Sequence, residues 1–409
     1  MKLIDNINKY VKIYENSFIK FVKELIAINS ENPPGNEKGV AERVIQEVKM
    51  LDLPKPKLVY MKPERPNLII NIDGESSDKK LLYSGHMDTK PVGDITKWQT
   101  NPFTAVIKNG RLYGLGACDM KGSLAAILYA GAMCQKIGLK GSLKLVFVAD
   151  EEAGGYYGAE FVTKNERLEA DIGLIGEPCG IKENWEKIDI VSRGETCFKT
   201  KVYGTQMHSS IHDLVPSVNA SVKMAKLLVK MDYELKFNYK PHPLIPQGVT
   251  MGTGVMVKGG VYYGVLPGYA EFSTDVRLLP GMTPDDIKQD LEIFIEKMKK
   301  EDPELEVEIE FEPLPLGWIK PVIVSEEEPF VKILQKTCIE VTSKKTSLGA
   351  CAGWTDARFF EQFANIKTIS AFGPGLLTVT HCPNEYVEIR SLKDAIKIYS
   401  LAAISYLNN

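Results

Sequence analysis

Residues 142–149, SLKLVFVA, form a nearly unbroken apolar run rich in branched side chains, and no other stretch constrains the fold as much. A strand wet on one side alternates polar and apolar residues. A run like this one asks for cover on both faces, as in a parallel sheet flanked by helices. Its surroundings agree. Strand-like stretches run over 67–73 (NLIINID) and 80–85 (KLLYSG), a long helical pattern over 122–136, and a further strand over 171–175 (DIGLI). This alternation predicts an α/β layer built on a mostly parallel sheet.

The texture changes near residue 187. Residues 188–203 read as a pair of strands, and a helix comes next from about 216 to 231. Strands over 254–260 and 270–278 come after it, then a helix over 284–300 and a period-two strand, ELEVEIEF, over 304–311. The order β-α-β-β-α-β is that of a ferredoxin-like sandwich. From about 314 helix and strand alternate again. A chain of 409 residues is too long for one ordinary core. The expectation is a discontinuous catalytic domain, residues 1–186 and 314–409, with an α+β domain inserted at 187–313.

Composition narrows the partners. Lys and Arg number 50 against 53 Asp and Glu, a net charge of −3, so neither a nucleic-acid footprint nor a polybasic membrane signal is present. No run approaches the roughly 18 apolar residues of a membrane span. The N-terminal stretch reads as a charged amphipathic helix without the apolar core of a signal peptide. Seven scattered cysteines with no C-x-x-C pair suit free thiols in a reducing compartment. A cytoplasmic protein acting on a small molecule is expected.

Five segments place metal-type ligands directly behind strand-like runs: His86-Met87-Asp88, Cys118-Asp119, Glu151-Glu152, Glu177 and His381. Active-site groups collect at the carboxyl ends of strands in α/β sheets. One acidic residue at a strand end is ordinarily a cap or a solvated charge; five such segments in one chain call for a common site. Asp88 lies two residues after His86, on the same side of an extended segment, and can orient its imidazole. Glu151 and Glu152 are adjacent, so both can face one site only beyond the end of the strand, before Gly154-Gly155. His212 and His242 stand in no motif. A thiolate hydrolase on Cys118 or Cys382 finds no supporting His and Asn or Asp pattern.

Together SGHMDT, GLGACDMKG, the Glu pair, GEP, the H-S of GTQMHSS and the late His resemble the M20 metallopeptidase family, over nearly the whole chain including the insertion. Leu115 departs from the pattern, since many relatives carry Arg there. The resemblance implies two zinc ions bridged by Asp119, one also held by His86 and Glu177, the other by Glu152 and His381. Cobalt or manganese can replace zinc on such ligands. Three carboxylates, one hydroxide and two divalent cations sum to zero charge, so such a cluster can be buried.

The resemblance further assigns proton transfer to Glu151, beside the orienting role that the spacing gives Asp88. His208 becomes an oxyanion donor, often supplied by the partner subunit of a homodimer built through the inserted domain. Arg277 becomes the anchor for a substrate carboxylate. Gly353, in AGWTDAR, is expected to shape the pocket rim by close backbone approach. The implied activity is removal of the acyl group from an N-acyl amino acid of the acetylornithine or succinyl-diaminopimelate type, by metal-bound hydroxide. A dipeptidase or carboxypeptidase would use the same centre. A non-catalytic binding protein on this fold would be expected to have lost part of the ligand set.

Overall fold

The structure, a computed structural model, describes residues 3–76, 78–314 and 316–409. The chain divides into two compact units, Met1–Ser192 with Val322–Asn409, and Arg193–Pro321. The first is built on a six-stranded sheet in the order Lys57–Tyr60, Pro66–Ile72, Ser142–Val148, Lys80–His86, Ile172–Ile175, Lys367–Ile369. The last four strands of that order run parallel, while the first two join antiparallel at one edge. The parallel portion carries the apolar run, and Leu145, Val146, Phe147 and Val148 are fully buried.

Helix Lys121–Ile137 is buried along nearly its whole length, so it reads as a core helix covered on all sides. It packs against Ile389–Leu407, Leu3–Ala27 and the central strand Lys80–His86. Strand register sets where the ligand-type residues emerge. His86 pairs with Val148, and Ser84 with Ile175. The chain therefore leaves three neighbouring parallel strands at the same end of the sheet, just before Asp88, Glu151 and Glu177.

The second unit is a four-stranded antiparallel sheet in the order Thr250–Gly259, Tyr269–Leu278, Gly194–Tyr203, Glu306–Phe311, with helices Ala220–Glu234 and Pro284–Glu301. The second helix starts where its chemistry says it should: Thr283 caps it, Asp286 returns the bond in a capping box, and Pro284 occupies the first turn. Glu306–Phe311 alternates exposed and half-buried residues, the period-two pattern read from the sequence.

The borders of the insertion lie later than the expected 187 and 313. Lys187–Ser192 stays with the first unit because it pairs in parallel with Ser347–Cys351 and antiparallel with Val322–Ile323. The two strands read over 188–203 exist, but they belong to different sheets and break at Arg193. On the return, the segment before Val322 is held in the second unit by paired backbone bonds between Glu195 and Ile319.

Candidate metal centre

The turn after Ser142–Val148 solves the problem of two adjacent glutamates. Asp150 adopts a left-handed conformation (φ 66°), and Glu151–Ala153 form a single 3-10 turn closed by Gly154 at φ 113°. Asp88 clamps this turn: its Oδ1 accepts the backbone N–H of Glu151 at 3.2 Å and its Oδ2 that of Glu152 at 3.1 Å. Asn32 donates to Asp88 Oδ2 at 2.8 Å and to Asp150 Oδ1 at 2.9 Å. Arg65 adds a bond to Asp150 Oδ1 at 2.7 Å while its fork grips Glu37. Both glutamates are thereby buried beside His86.

Asp119 lies between two imidazoles. His86 Nε2 is 3.0 Å from its Oδ1, and His381 Nε2 is 3.2 Å from its Oδ2. Glu177 Oε1 approaches His86 Nε2 at 3.3 Å, and Glu152 Oε1 approaches His381 Nε2 at 3.3 Å. Ligand atoms of His86, Asp119 and Glu152 lie within 4.8 Å of one another, as do those of His86, Glu151 and Glu177.

The donor set fits divalent cations. His86 Nδ1 lies 3.0 Å from the backbone carbonyl of Asp88 and 3.4 Å from its Oδ1, so both neighbours are acceptors and the ring proton belongs on Nδ1. The backbone carbonyl is thus the shorter partner, alongside the expected carboxylate. Nε2 faces the oxygens of Asp119 and Glu177, and against the effect of burial those acceptors hold the imidazole well above its usual range when no cation stands between them, so a divalent cation there would take the place of the proton. Protein charges alone leave the cluster short of positive charge. Burial, reinforced by the Asp119 charge, pushes Glu177 up to about 7. Burial also drives Glu151 well above the usual carboxylate range. Bonded to Asp119 and Glu152, His381 is raised to about 10. Imidazole and carboxylate ligands of this kind suit zinc.

Glu385 is the residue that sequence reasoning missed. It is fully buried, and its carboxylate accepts the backbone N–H groups of Gly116 at 3.0 Å, Cys118 at 2.7 Å and Asp119 at 3.0 Å. Burial, with the Asp119 charge adding to it, pushes it up to about 8. A signal was present in HCPNEY: a Glu four residues after His381, in a turn whose His381 and Asn384 both have positive φ.

A cavity of about 480 Å³ opens on Asp119, Glu151, Glu152, Glu177 and His381, and Gly353 and Trp354 also line it. The Arg358 guanidinium lies 3.7 Å over the Trp354 ring, and its Nη2 donates to the carbonyl of Gly154 at 2.8 Å. That links the AGWTDAR rim to the glutamate turn. A larger hollow of about 700 Å³, lined by Asp73, Glu75 and Lys80, lies where the parallel strands begin and holds none of these ligand-type side chains.

His208 and Arg277 belong to the second unit. His208 is exposed and caps a short turn, its Nδ1 accepting the Ser210 backbone N–H at 3.2 Å. Arg277 is held by Glu195 at 3.0 Å and Asp275 at 3.4 Å, the sheet-face ion pair that competes with an anchoring role.

An α/β sheet with His86, the glutamate pair and Glu177 at the carboxyl ends of its strands, joined by Asp119 and His381 from loops, has the make-up of a metal-dependent hydrolase. The chain belongs to Peptidase family M20/M25/M40, whose profile matches residues 82–405. It is 29% identical to an uncharacterized metallohydrolase of Methanocaldococcus jannaschii, over 93% of this chain and 97% of that protein. It is 25% identical to the succinyl-diaminopimelate desuccinylase of Pelagibacter ubique, with the same coverage of 93% and 97%. In fold it is similar to an M20 family metallo-carboxypeptidase from Sulfolobus solfataricus, with a TM-score of 0.73 at 23% identity over 95% of this chain and 99% of the other. Among the described residues no helix is long and apolar enough to cross a membrane.

Proposed function

We propose that this chain is a two-metal amidohydrolase that removes the acyl group from an N-acyl amino acid. The observation that carries the proposal is the placement of Asp119, one carboxylate oxygen toward each of two imidazoles. His86, Asp119 and Glu177 would hold one cation, and Asp119, Glu152 and His381 the other, with zinc the expected metal and cobalt or manganese its substitutes. Bound there, the pair supplies Lewis acidity that polarises an amide carbonyl and acidifies water.

The chain's own groups do the rest. Glu151, clamped by Asp88 and facing the same cluster, takes the proton from water and returns it to the leaving amine. Asp88 keeps the His86 proton on Nδ1. His208 is assigned to the developing oxyanion, and Arg277 to the substrate carboxylate.

A homodimer is part of the proposal. Thr250–Gly259 is an edge strand, and Val255, Met256 and Val257 on it are exposed, as are Tyr262 and Tyr263 in the adjoining turn. An apolar strand edge of this kind is a template for a second copy. A cytoplasmic setting accords with seven free cysteines.

The relative that acts on succinyl-diaminopimelate supports deacylation. Dipeptide cleavage is the competing activity of the same centre. The experiment is metal analysis followed by a hydrolysis panel. Chelation should abolish turnover, and about two equivalents of zinc per chain should restore it. Hydrolysis of acyl amino acids should exceed that of dipeptides. A chain that takes up no metal, or cleaves no amide on the panel, overturns the proposal.

A further inference from the structure

The cavity beside the carboxylate cluster has two chemically different kinds of lining. Besides the ligand-type residues it is lined by Pro178, Ile181, Cys351, Ala352, Trp354 and Leu377. Ile181 is 41% exposed, a large aliphatic side chain that the fold itself does not bury. Its position is nevertheless fixed: its backbone N–H donates to Glu186 at 3.0 Å, and its carbonyl accepts from the Thr378 hydroxyl at 3.3 Å. Trp354 is held against Arg358. This is a preformed apolar wall.

The charges near that wall are already engaged. Besides the ligand-type His381, Lys90 is the basic side chain of this lining among the described residues, and its Nζ lies 3.1 Å from Glu152 Oε2 and also bonds the Glu152 carbonyl. The lining carboxylates are those of the ligand cluster. A terminal ammonium or carboxylate laid along Ile181, Trp354 and Leu377 would lose its hydration against apolar side chains, whereas an alkyl or aromatic group gains by leaving water.

Resting on the amidohydrolase proposal above, we infer that the substrate arm lying on this wall is apolar. The preferred substrates are acyl derivatives of large aliphatic or aromatic amino acids, in place of those of ornithine or diaminopimelate. Ile181, Trp354 and Leu377 are the residues that select them.

The test uses the full-length zinc-loaded protein with N-acetyl-leucine, N-acetyl-methionine and N-acetyl-phenylalanine against N-acetylornithine and N-succinyl-diaminopimelate. The apolar substrates should lead in kcat/KM by at least about tenfold. Ile181→Asp, at an exposed position that leaves the core intact, should shrink that lead by about tenfold and leave metal content unchanged. Titration of tryptophan fluorescence with the free amino acids gives a reading independent of turnover: leucine should saturate at lower concentration than ornithine. Preference for the charged substrates, or an unmoved preference in Ile181→Asp, overturns this inference and leaves the amidohydrolase proposal standing. Hydrolysis of none of the five overturns both.

Discussion

Glu385 holds the backbone of Asp119. Its carboxylate accepts the Asp119 N–H at 3.0 Å, and the Asp119 side chain reaches both His86 and His381. Because His381 lies on the same turn as Glu385, one short segment presents an imidazole at one end and fixes that imidazole's carboxylate partner from the other. The geometry of the proposed shared ligand thus depends on a residue outside the proposed ligand set.

Replacing Glu385 with Gln should keep one acceptor oxygen and set an amide donor against backbone donors. Zinc affinity, measured by competition with a chelating dye, should fall about 10- to 100-fold. Glu385→Ala should also lower stability by about 3 kcal/mol, since three buried backbone N–H groups lose their acceptor. Native affinity in both variants would show that the loop holds its shape unaided.

Glu151→Gln preserves size and the clamp from Asp88 to the backbone but removes the proton acceptor. Metal content should remain at the wild-type level while kcat drops by roughly 10² to 10⁴. A variant that turns over at near-normal rate would remove Glu151 from the chemistry.

Mixing His208→Ala subunits with Glu151→Gln subunits tests donation across a dimer. If His208 serves the partner's site, a mixed dimer contains one complete site, and activity should reappear on subunit exchange. Silence in verified heterodimers would place His208 in its own chain's site or outside catalysis.

Asp189 gives a pH signature away from the metal centre. Burial raises it from 3.8 to about 6, with Lys187 Nζ at 2.9 Å opposing the shift. A carboxyl whose folded value lies above its unfolded one is protonated more readily in the folded protein. The folded state therefore loses stability as pH rises from about 4 through 6, by an amount of order 3 kcal/mol. Urea melts from pH 5 to pH 8 should show Asp189→Asn gaining on wild type as pH rises. Parallel curves would mean that the Lys187 pair compensates the burial fully.

His86, the Glu151-Glu152 pair and Glu177 could be read from the sequence because they come at or after the ends of strands of the parallel sheet, which converge whenever it forms, whereas Asp119 lies in the turns after Arg111–Tyr113 and His381 follows the 3-10 turn Leu377–Val379. His86, Glu151 and Glu177 needed only that rule. Glu385 did not obey it: its partners lie 266 to 269 residues earlier in the chain, and nothing in HCPNEY says which loop it will meet. Asn32, 56 residues before Asp88 and 118 before Asp150, is hidden in the same way. The border at Arg193 was misplaced because strand propensity is a local property, while the sheet a strand joins is decided by partners far along the chain. Ile188 and Phe198 look alike in sequence, yet each is buried in a different sheet.

Val322 is the Cα partner of Ser192, so the chain departs to the insertion and comes back through neighbouring positions of one antiparallel ladder. Two doorposts standing side by side need no particular length of corridor between them. The pairing that seats both ends of the insertion sets no length for it, so the stretch that carries His208 and Arg277 is free to vary while His86, Asp119, Glu152, Glu177 and His381 belong to the first unit.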